Sequence, residues 1–148
     1  LLKGKKQAVT TAESCTGGML ATRITDVPGS SSWFRGGFVP YSSELKTAVL
    51  GIDPELIREH GAVSEPVARA MAEAARERAG ADWGVSITGV AGPDGGTEET
   101  PVGTIFLGLA APSGTQVRRL DYARDRARVR FMATQTALDW LRRSLLTE

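Results

Sequence analysis

The chain has 148 residues, enough for one domain that buries roughly 68–70% of the surface its unfolded chain would expose. With 41% hydrophobic and 24% charged residues, the composition excludes disordered, collagen-like, coiled-coil and disulfide-stapled proteins. The near balance of 18 Lys and Arg against 17 Asp and Glu argues against a protein dedicated to binding nucleic acid or a membrane surface.

Hydrophobic periodicity and turn residues predict alternating strands and helices along the chain. In chain order they are a strand at 7–12, a helix from 19 to about 26, a strand at 33–39, helices at 42–50, 53–60 and 64–80, a strand at 83–88, a hairpin of strands at 104–111 and 116–122, and a closing helix from about 125 to 146. This order predicts a single α/β domain, residues 1–148, with a mixed, mostly parallel sheet that includes one antiparallel hairpin.

Two chemically versatile residue types occur once each, as Cys15 and His60. Neither an internal disulfide nor a zinc site made of Cys and His ligands can therefore form. No apolar run approaches the ~20 residues that span a bilayer, so we expect a cytoplasmic protein. The first residue is not Met and residues 1–5 resemble the end of a helix, so we expect further residues upstream.

Two glycine-rich turns, at 13–18 and 89–97, directly follow predicted strands. Because ligands in open α/β sheets bind at the carboxyl ends of the parallel strands, we expect both turns at one ligand-binding edge. In the first turn, Ser14 or Thr16 either caps the following helix or faces a ligand whose phosphate or oxyanion is held by the helix N–H groups. The spacing leaves both interpretations open and matches neither the dinucleotide-binding nor the Walker motif.

A second polar segment, at 41–46, lies where a predicted helix follows a strand. Lys46 can act as a base for a serine if burial lowers its pKa from about 10.4, and Tyr41 can relay or orient the proton. The alternative is a solvated Lys46 and a Tyr41 at the edge of the core. Cys15 is a rival nucleophile, because a helix N-terminus lowers the pKa of a thiol.

The later segments allow weaker assignments. The loop at 92–99, which contains Asp94, either covers a ligand or is a surface connection. His60 is expected at a helix C-terminus without a functional role. Six arginines between positions 118 and 130 scatter over several faces, which favours a solvated exterior over a nucleic-acid groove and leaves one or two for a phosphate.

Taken together, these motifs resemble those of a known family. They are TAESCTGG at 11–18, VPGSS at 27–31, YSSELK at 41–46, GAVS at 61–64, SITGVAGPDGG at 86–96 and PVGT at 101–104. In this order, and over nearly the whole chain, they resemble the CinA C-terminal domain family. Pro40 stands where that family usually has Ser or Thr, and Ser43 stands where it usually has Asn.

The resemblance implies a three-layer α/β/α sandwich and a nicotinamide-nucleotide amidase, which converts nicotinamide mononucleotide and water to nicotinic acid mononucleotide and ammonia without metal or cofactor. It places the nucleophile at Ser14 and its assisting tyrosine and lysine at Tyr41 and Lys46. Backbone N–H groups of one turn, at 16–18 or at 30–31, are then expected to hold the oxyanion, and those of the other turn the phosphate. The expected substrate contacts are Thr16, Gly17, Gly18, Ser30, Ser31, Gly92, Asp94, Gly95, Thr104 and Arg130.

Two further hypotheses remain open at this point. One is a nucleotide-binding regulatory module without turnover, and the other is an accessory domain associated with competence or DNA damage, for which a nucleic-acid surface would be needed. The expected partner is a small nucleotide, and neither a membrane nor a nucleic acid is expected. We also expect a homodimer, formed through an apolar helix face such as that of Trp140 and Leu141.

Overall fold

The computed structural model describes residues 1–148 and contains every predicted element. The strands are β1 (Val9–Glu13), β2 (Phe34–Phe38), β3 (Trp83–Gly89), β4 (Thr104–Ala111) and β5 (Gly114–Asp121). The helices are α1 (Leu2–Lys5), α2 (Met19–Thr25), α3 (Ser43–Leu50), α4 (Pro54–His60), α5 (Glu65–Ala79) and α6 (Arg126–Thr147). Strand β5 begins two residues earlier than predicted, because Pro112 and Ser113 alone form the hairpin turn.

The five strands form one open sheet in the order β2-β1-β3-β4-β5. Strand β1 pairs in parallel with β2 and β3, whereas β4 pairs antiparallel with both β3 and β5. Four strands therefore run in one direction, and only β4 is reversed. As a result, β1, β2, β3 and β5 all end at the same edge of the sheet, which we call the ligand edge.

Helices cover both faces of the sheet, which confirms the three-layer α/β/α prediction. Helices α2 and α6 pack on one face, around a core that contains Trp83 and Ile87, and α3, α4 and α5 pack on the other, around Met71. Trp140 and Leu141 are only 3% and 6% exposed, because they belong to the first of these cores. The prediction that this face of α6 mediates a dimer is therefore wrong.

Helix α5 lies directly on the sheet because two sheet positions carry no side chain. A Cβ atom at Gly108 would lie 2.6 Å from the carbonyl oxygen of Ala68 in α5, and Ser86 donates a hydrogen bond to the same oxygen at 2.6 Å. The second position, Gly84, faces the carbonyl oxygen of Ala72 one turn later. This close packing sets the position of the start of α5 above the ligand edge.

None of the six helices combines the length and the apolar character that a bilayer-spanning helix needs.

Candidate active site

A pocket of about 300 Å³ opens at the ligand edge. Its walls are Ser14 and Cys15 after β1, Tyr41, Ser43 and Lys46 around the start of α3, Ala62 and Val63 before α5, Thr88, Gly89, Val90, Ala91, Gly92, Asp94 and Gly95 around the end of β3, and Arg126 at the start of α6. Both predicted glycine-rich turns contribute to it. A larger, mostly apolar groove of about 520 Å³ lies between α1, α2 and α6, but no hydroxyl, thiol or carboxylate side chain lines it.

The inner end of the pocket brings Ser14 and Lys46 together. Lys46 Nζ lies 3.1 Å from Ser14 Oγ and 3.0 Å from the carbonyl oxygen of Pro40. The Lys46 side chain is 1% exposed, so the alternative of a solvated lysine is wrong. Burial lowers the pKa of Lys46, and a lysine with a lowered pKa can lose its charge and accept a proton.

The unusual Pro40 leaves this arrangement intact. Its contact with Lys46 uses the backbone carbonyl oxygen, which proline supplies as well as serine or threonine does. Ser43, the other departure from the family pattern, is exposed and lines the pocket. Both positions therefore contribute to the same site as the residues that match the family.

Cys15 also faces the pocket but differs from Ser14 in reactivity. It is 6% exposed, and burial raises the pKa of its thiol to about 11. The thiol therefore stays protonated near neutral pH, whereas the thiolate is the reactive form of cysteine. His60 is the last residue of α4 and lies outside the pocket.

The turn that carries Ser14 is closed by the preceding residue, Glu13. Glu13 is fully buried, and its Oε1 accepts hydrogen bonds from Thr16 Oγ1 and from the Leu20 N–H, both at 2.7 Å. Its Oε2 accepts a third, from the Ala21 N–H, at 3.0 Å. The N–H groups of Leu20 and Ala21 in the first turn of α2 thus already have an acceptor within the chain and are not free to hold a phosphate.

The other residues of this turn do not line the pocket. The Thr16 hydroxyl is turned towards Glu13, and Gly17 and Gly18 have φ angles of 60° and 100°, which favour glycine. Arg130 donates hydrogen bonds to the carbonyl oxygens of Cys15 and Thr16, at 3.0 and 3.2 Å. These residues therefore shape the turn, and the prediction that they contact substrate is not supported by their positions.

Three further predicted contacts also lie outside the pocket. Ser30 and Ser31 form a short 3₁₀ turn before the first residue of β2, at the edge of the sheet opposite the ligand edge. The prediction that they hold an oxyanion or a phosphate in this pocket is therefore wrong. Thr104 is at the ligand edge, but it is buried and donates a hydrogen bond to Asp121 Oδ1 at 3.3 Å.

The mouth of the pocket is formed by Tyr41, Arg126 and the loop that contains Gly92, Asp94 and Gly95. Arg126 Nη1 donates to the carbonyl oxygen of Gly92 at 2.7 Å, and Arg126 Nη2 donates to Tyr41 Oη at 3.2 Å. Tyr41 is 57% exposed and makes no hydrogen bond with Ser14 or Lys46. A proton relay through Tyr41 therefore does not describe this structure, in which Ser14 and Lys46 meet directly.

Among the six arginines at 118–130, Arg126 is the one that lines the pocket, whereas the sequence predicts Arg130 as the substrate contact. The strand topology explains the difference. Strand β5 runs parallel in direction to β1 and β3 and ends at the ligand edge. The next helix, α6, therefore begins at the ligand edge, and its first residue, Arg126, lines the pocket. The other arginines disperse: Arg118 stacks on the ring of Trp140 at 4.3 Å, and Arg119 pairs with Asp121 at 3.1 Å.

Several polar groups of the pocket remain free to bind a ligand. The N–H groups of Cys15, Ala91 and Gly92 have no acceptor within the chain, and the Asp94 carboxylate is exposed at the mouth. No group of three His, Cys, Asp or Glu side chains is placed to hold a metal ion. The arrangement thus offers a hydroxyl nucleophile, an adjacent base, backbone donors for an oxyanion and charges of both signs at the mouth.

Comparison with known proteins agrees with the resemblance seen in the motifs. The family model of the CinA C-terminal domain matches residues 1–145. Relatives named CinA-like protein include one from Citrifermentans bemidjiense, 56% identical over 147 residues, and one from Gloeothece citriformis, 48% identical over 149 residues. These matches cover 99% and 98% of this chain but 36% of each relative, so the chain spans little more than a third of their length.

Solved structures extend the similarity to the fold. The competence damage-inducible protein A from Klebsiella pneumoniae is 34% identical with a TM-score of 0.94, and the match covers 98% of this chain and 90% of that one. The competence/damage inducible protein CihA from Agrobacterium tumefaciens is 38% identical with a TM-score of 0.92, covering 95% of this chain and 86% of that one. On this evidence, the chain belongs to the CinA C-terminal domain family.

Proposed function

We propose that this chain is an amidohydrolase that converts nicotinamide mononucleotide and water to nicotinic acid mononucleotide and ammonia. The observation that carries the proposal is the direct contact, at 3.1 Å, between Ser14 Oγ and the buried Lys46 Nζ. A serine beside a base that can lose its charge is the arrangement needed for acyl transfer. Membership of the CinA family, through the activity that the resemblance implies, supports the choice of a carboxamide as substrate.

In the proposed reaction, Ser14 Oγ attacks the carboxamide carbon while the neutral amine of Lys46 takes the hydroxyl proton. The tetrahedral intermediate collapses when Lys46 returns this proton to the leaving nitrogen, and ammonia departs. A water molecule then attacks the ester of Ser14 while Lys46 takes one of its protons. Lys46 returns this proton to Ser14 Oγ as the C–O bond to the serine breaks, and the acid that is released gives its own proton to ammonia, which leaves a carboxylate product and ammonium. Each proton removed by Lys46 is given back, so the enzyme ends in its starting form.

Backbone N–H groups are the proposed oxyanion donors. Those of Cys15, Ala91 and Gly92 belong to pocket residues and have no acceptor within the chain. Cys15 directly follows the proposed nucleophile, as an oxyanion donor does in many serine hydrolases. Preorganised donors of this kind stabilise the charge that develops on the carbonyl oxygen in the transition state.

The mouth of the pocket suits the two charges of the proposed substrate. Arg126 is the exposed cation of the pocket, and only two of its N–H groups are used by Gly92 and Tyr41, so the others are free for the 5′-phosphate. Asp94 is the carboxylate that lines the pocket, and we assign it to the positively charged pyridinium ring. This assignment replaces the turns at 16–18 and 30–31 as the phosphate site.

The proposal also includes a cytoplasmic location and self-association. With Trp140 and Leu141 buried, the candidate surface for a second copy moves to α3, where Leu45 and Val49 are 45% and 37% exposed one helical turn apart. Sedimentation analysis of the wild type and of a Leu45→Glu, Val49→Glu variant tests self-association. A monomeric wild type would contradict it.

Ammonia release from nicotinamide mononucleotide by the purified, metal-stripped chain tests the proposed function. We expect steady turnover in the wild type, none above background in Ser14→Ala, and nearly full turnover in Cys15→Ser, the matched control at the adjacent position. Wild-type protein that binds the nucleotide but releases no ammonia would contradict the proposal and favour a regulatory module. Turnover that survives in Ser14→Ala but not in Cys15→Ser would move the nucleophile to Cys15.

A further inference from the structure

Glu13 is a buried acid that the proposed reaction does not use. It is the last residue of β1 and is fully buried, yet no Lys, Arg or His lies within ion-pair distance of its carboxylate. Burial of an uncompensated carboxylate is strongly unfavourable. Its three hydrogen bonds, from Thr16 Oγ1 and the N–H groups of Leu20 and Ala21, and the positive end of α2 provide the compensation.

These three contacts lock the segment that carries Ser14. Helix α2 has only seven residues, and its N-cap, Gly18, has no side chain to accept from the first turn. Glu13 takes over that role from five residues earlier and so closes the loop from the end of β1 to the first turn of α2. Ser14 lies inside this closed loop, with its N–H donating to the carbonyl oxygen of Ile87 at 2.9 Å.

The Glu13 carboxylate also affects the residue after Ser14. Burial is the main reason that the pKa of Cys15 is raised, and the Glu13 carboxylate adds to that effect. The role of Glu13 within the turn rests on its three hydrogen bonds.

We propose that Glu13 is the positioning residue of the site, which holds Ser14 Oγ against Lys46 and keeps the Cys15 N–H directed to the oxyanion. The inference rests on the proposed function, because it assigns Glu13 a role in that reaction. The inference goes beyond the proposed function because the rate of amide hydrolysis then depends on a side chain that contacts neither the substrate nor Lys46.

Glu13→Gln tests the inference, because it keeps the size and removes one acceptor. The amide oxygen can still accept from Thr16 and Leu20, but the amide NH₂ then meets the Ala21 N–H, donor against donor. We expect kcat to fall about 100-fold, as a small displacement of a reacting group does, with KM nearly unchanged. In a profile of kcat against pH, we expect the plateau value of kcat to fall and the midpoint of the rising limb to stay at the same pH.

Asp82→Asn is the matched control. Asp82 Oδ2 also accepts from a backbone N–H, that of Ala8 at 2.7 Å, at the opposite edge of the sheet. We expect this variant to lower the melting temperature without changing kcat. Should Glu13→Gln fail to fold, Thr16→Val removes one of the three hydrogen bonds to Glu13 and is expected to lower kcat by a smaller factor.

A covalent probe separates this inference from the proposed function. A fluorophosphonate forms a bond from phosphorus to Ser14 Oγ and releases fluoride, with Ser14→Ala as the unlabelled control. We expect labelling of Glu13→Gln to slow in parallel with kcat. Slower labelling in a protein whose wild type releases no ammonia would support the positioning role and contradict the proposed substrate. Wild-type kcat in Glu13→Gln, or a shifted limb with an unchanged plateau, would overturn the positioning role.

Discussion

The inner end and the mouth of the pocket differ in the exposure of their side chains and in the sequence separation of the residues that meet there. At the inner end, Ser14 and Lys46 are 8% and 1% exposed and lie directly after β1 and within α3. At the mouth, the contact between Tyr41 and Arg126 joins exposed side chains 85 residues apart in sequence. The side chains at the inner end are thus shielded from water, whereas water screens the charges of the side chains at the mouth.

This difference separates reactivity from recognition. A buried amine changes its pKa because water no longer stabilises its charge, which is the property that a general base needs. An exposed guanidinium keeps its charge and its hydrogen-bonding geometry, which is what recognition of a phosphate needs. Substitutions at the inner end should therefore change kcat, and those at the mouth should change KM.

The largest effect is expected for Ser14→Ala at the inner end. Loss of the nucleophile should lower kcat by about 10³-fold or more, with little change in the affinity for nicotinamide mononucleotide, because the mouth is untouched. Ammonia release and isothermal titration with the nucleotide measure the two quantities. A variant that loses affinity and keeps kcat would break the division between the two ends.

Lys46→Met should lower kcat by about 10²- to 10⁴-fold, the range for loss of a general base. In the wild type, the active form has a neutral Lys46, so kcat should rise with pH towards a plateau. The midpoint should lie below the ordinary lysine pKa of 10.5, because burial lowers the pKa of Lys46. A pH–rate profile measures the midpoint, and a flat profile for the wild type would contradict the assignment of Lys46 as base.

Arg126→Ala should raise KM by about 10- to 100-fold, the equivalent of about 1.5–3 kcal/mol for a hydrogen bond to a charged group. The effect on kcat should be small. Steady-state kinetics on nicotinamide mononucleotide and on the riboside, which lacks the phosphate, measure it. The variant and the wild type should be equal on the riboside, and a loss on both substrates would show that Arg126 acts through the loop and not through the phosphate.

Tyr41→Phe should have the smallest effect, because it removes only the hydrogen bond between Tyr41 Oη and Arg126. About 0.5–1.5 kcal/mol for such a bond corresponds to an increase of about two- to tenfold in KM. Steady-state kinetics beside Arg126→Ala and the double variant test whether the two residues act together. A large loss of kcat in Tyr41→Phe would restore the proton relay that the structure does not contain.

Sequence patterns could predict most of the fold because the element order and the ligand edge follow from local periodicity and strand direction. They also placed Ser14, Lys46 and the loop with Gly92 and Asp94 in one site. They failed where the outcome depends on competition for partners: the Thr16 hydroxyl is taken by Glu13, and the guanidinium of Arg130 by backbone carbonyls. A sequence motif does not show which hydrogen-bond donors already have an acceptor within the chain.

Arg126 and Arg130 illustrate the same point within one helix. They are four residues apart, so they share a face of α6 but are displaced by about 6 Å along its axis. That displacement places Arg126 beside Gly92 and Tyr41 and Arg130 behind the turn that carries Ser14. Sequence spacing identifies the shared face, and only the packed helix decides which arginine reaches the pocket.

Because Gly108 has no side chain, α5 packs closely on the middle of the sheet, and this packing positions one wall of the pocket. Helix α5 rests on this position through Ala68, and the segment that enters α5 supplies Ala62, whose carbonyl oxygen accepts from Thr88 Oγ1 at 2.9 Å. A methyl group at Gly108 would lift the helix and carry that wall with it. Substitutions in the middle of the sheet can thus change the shape of this pocket, and a search for altered specificity should sample Gly108 and its neighbours together with the residues at the mouth.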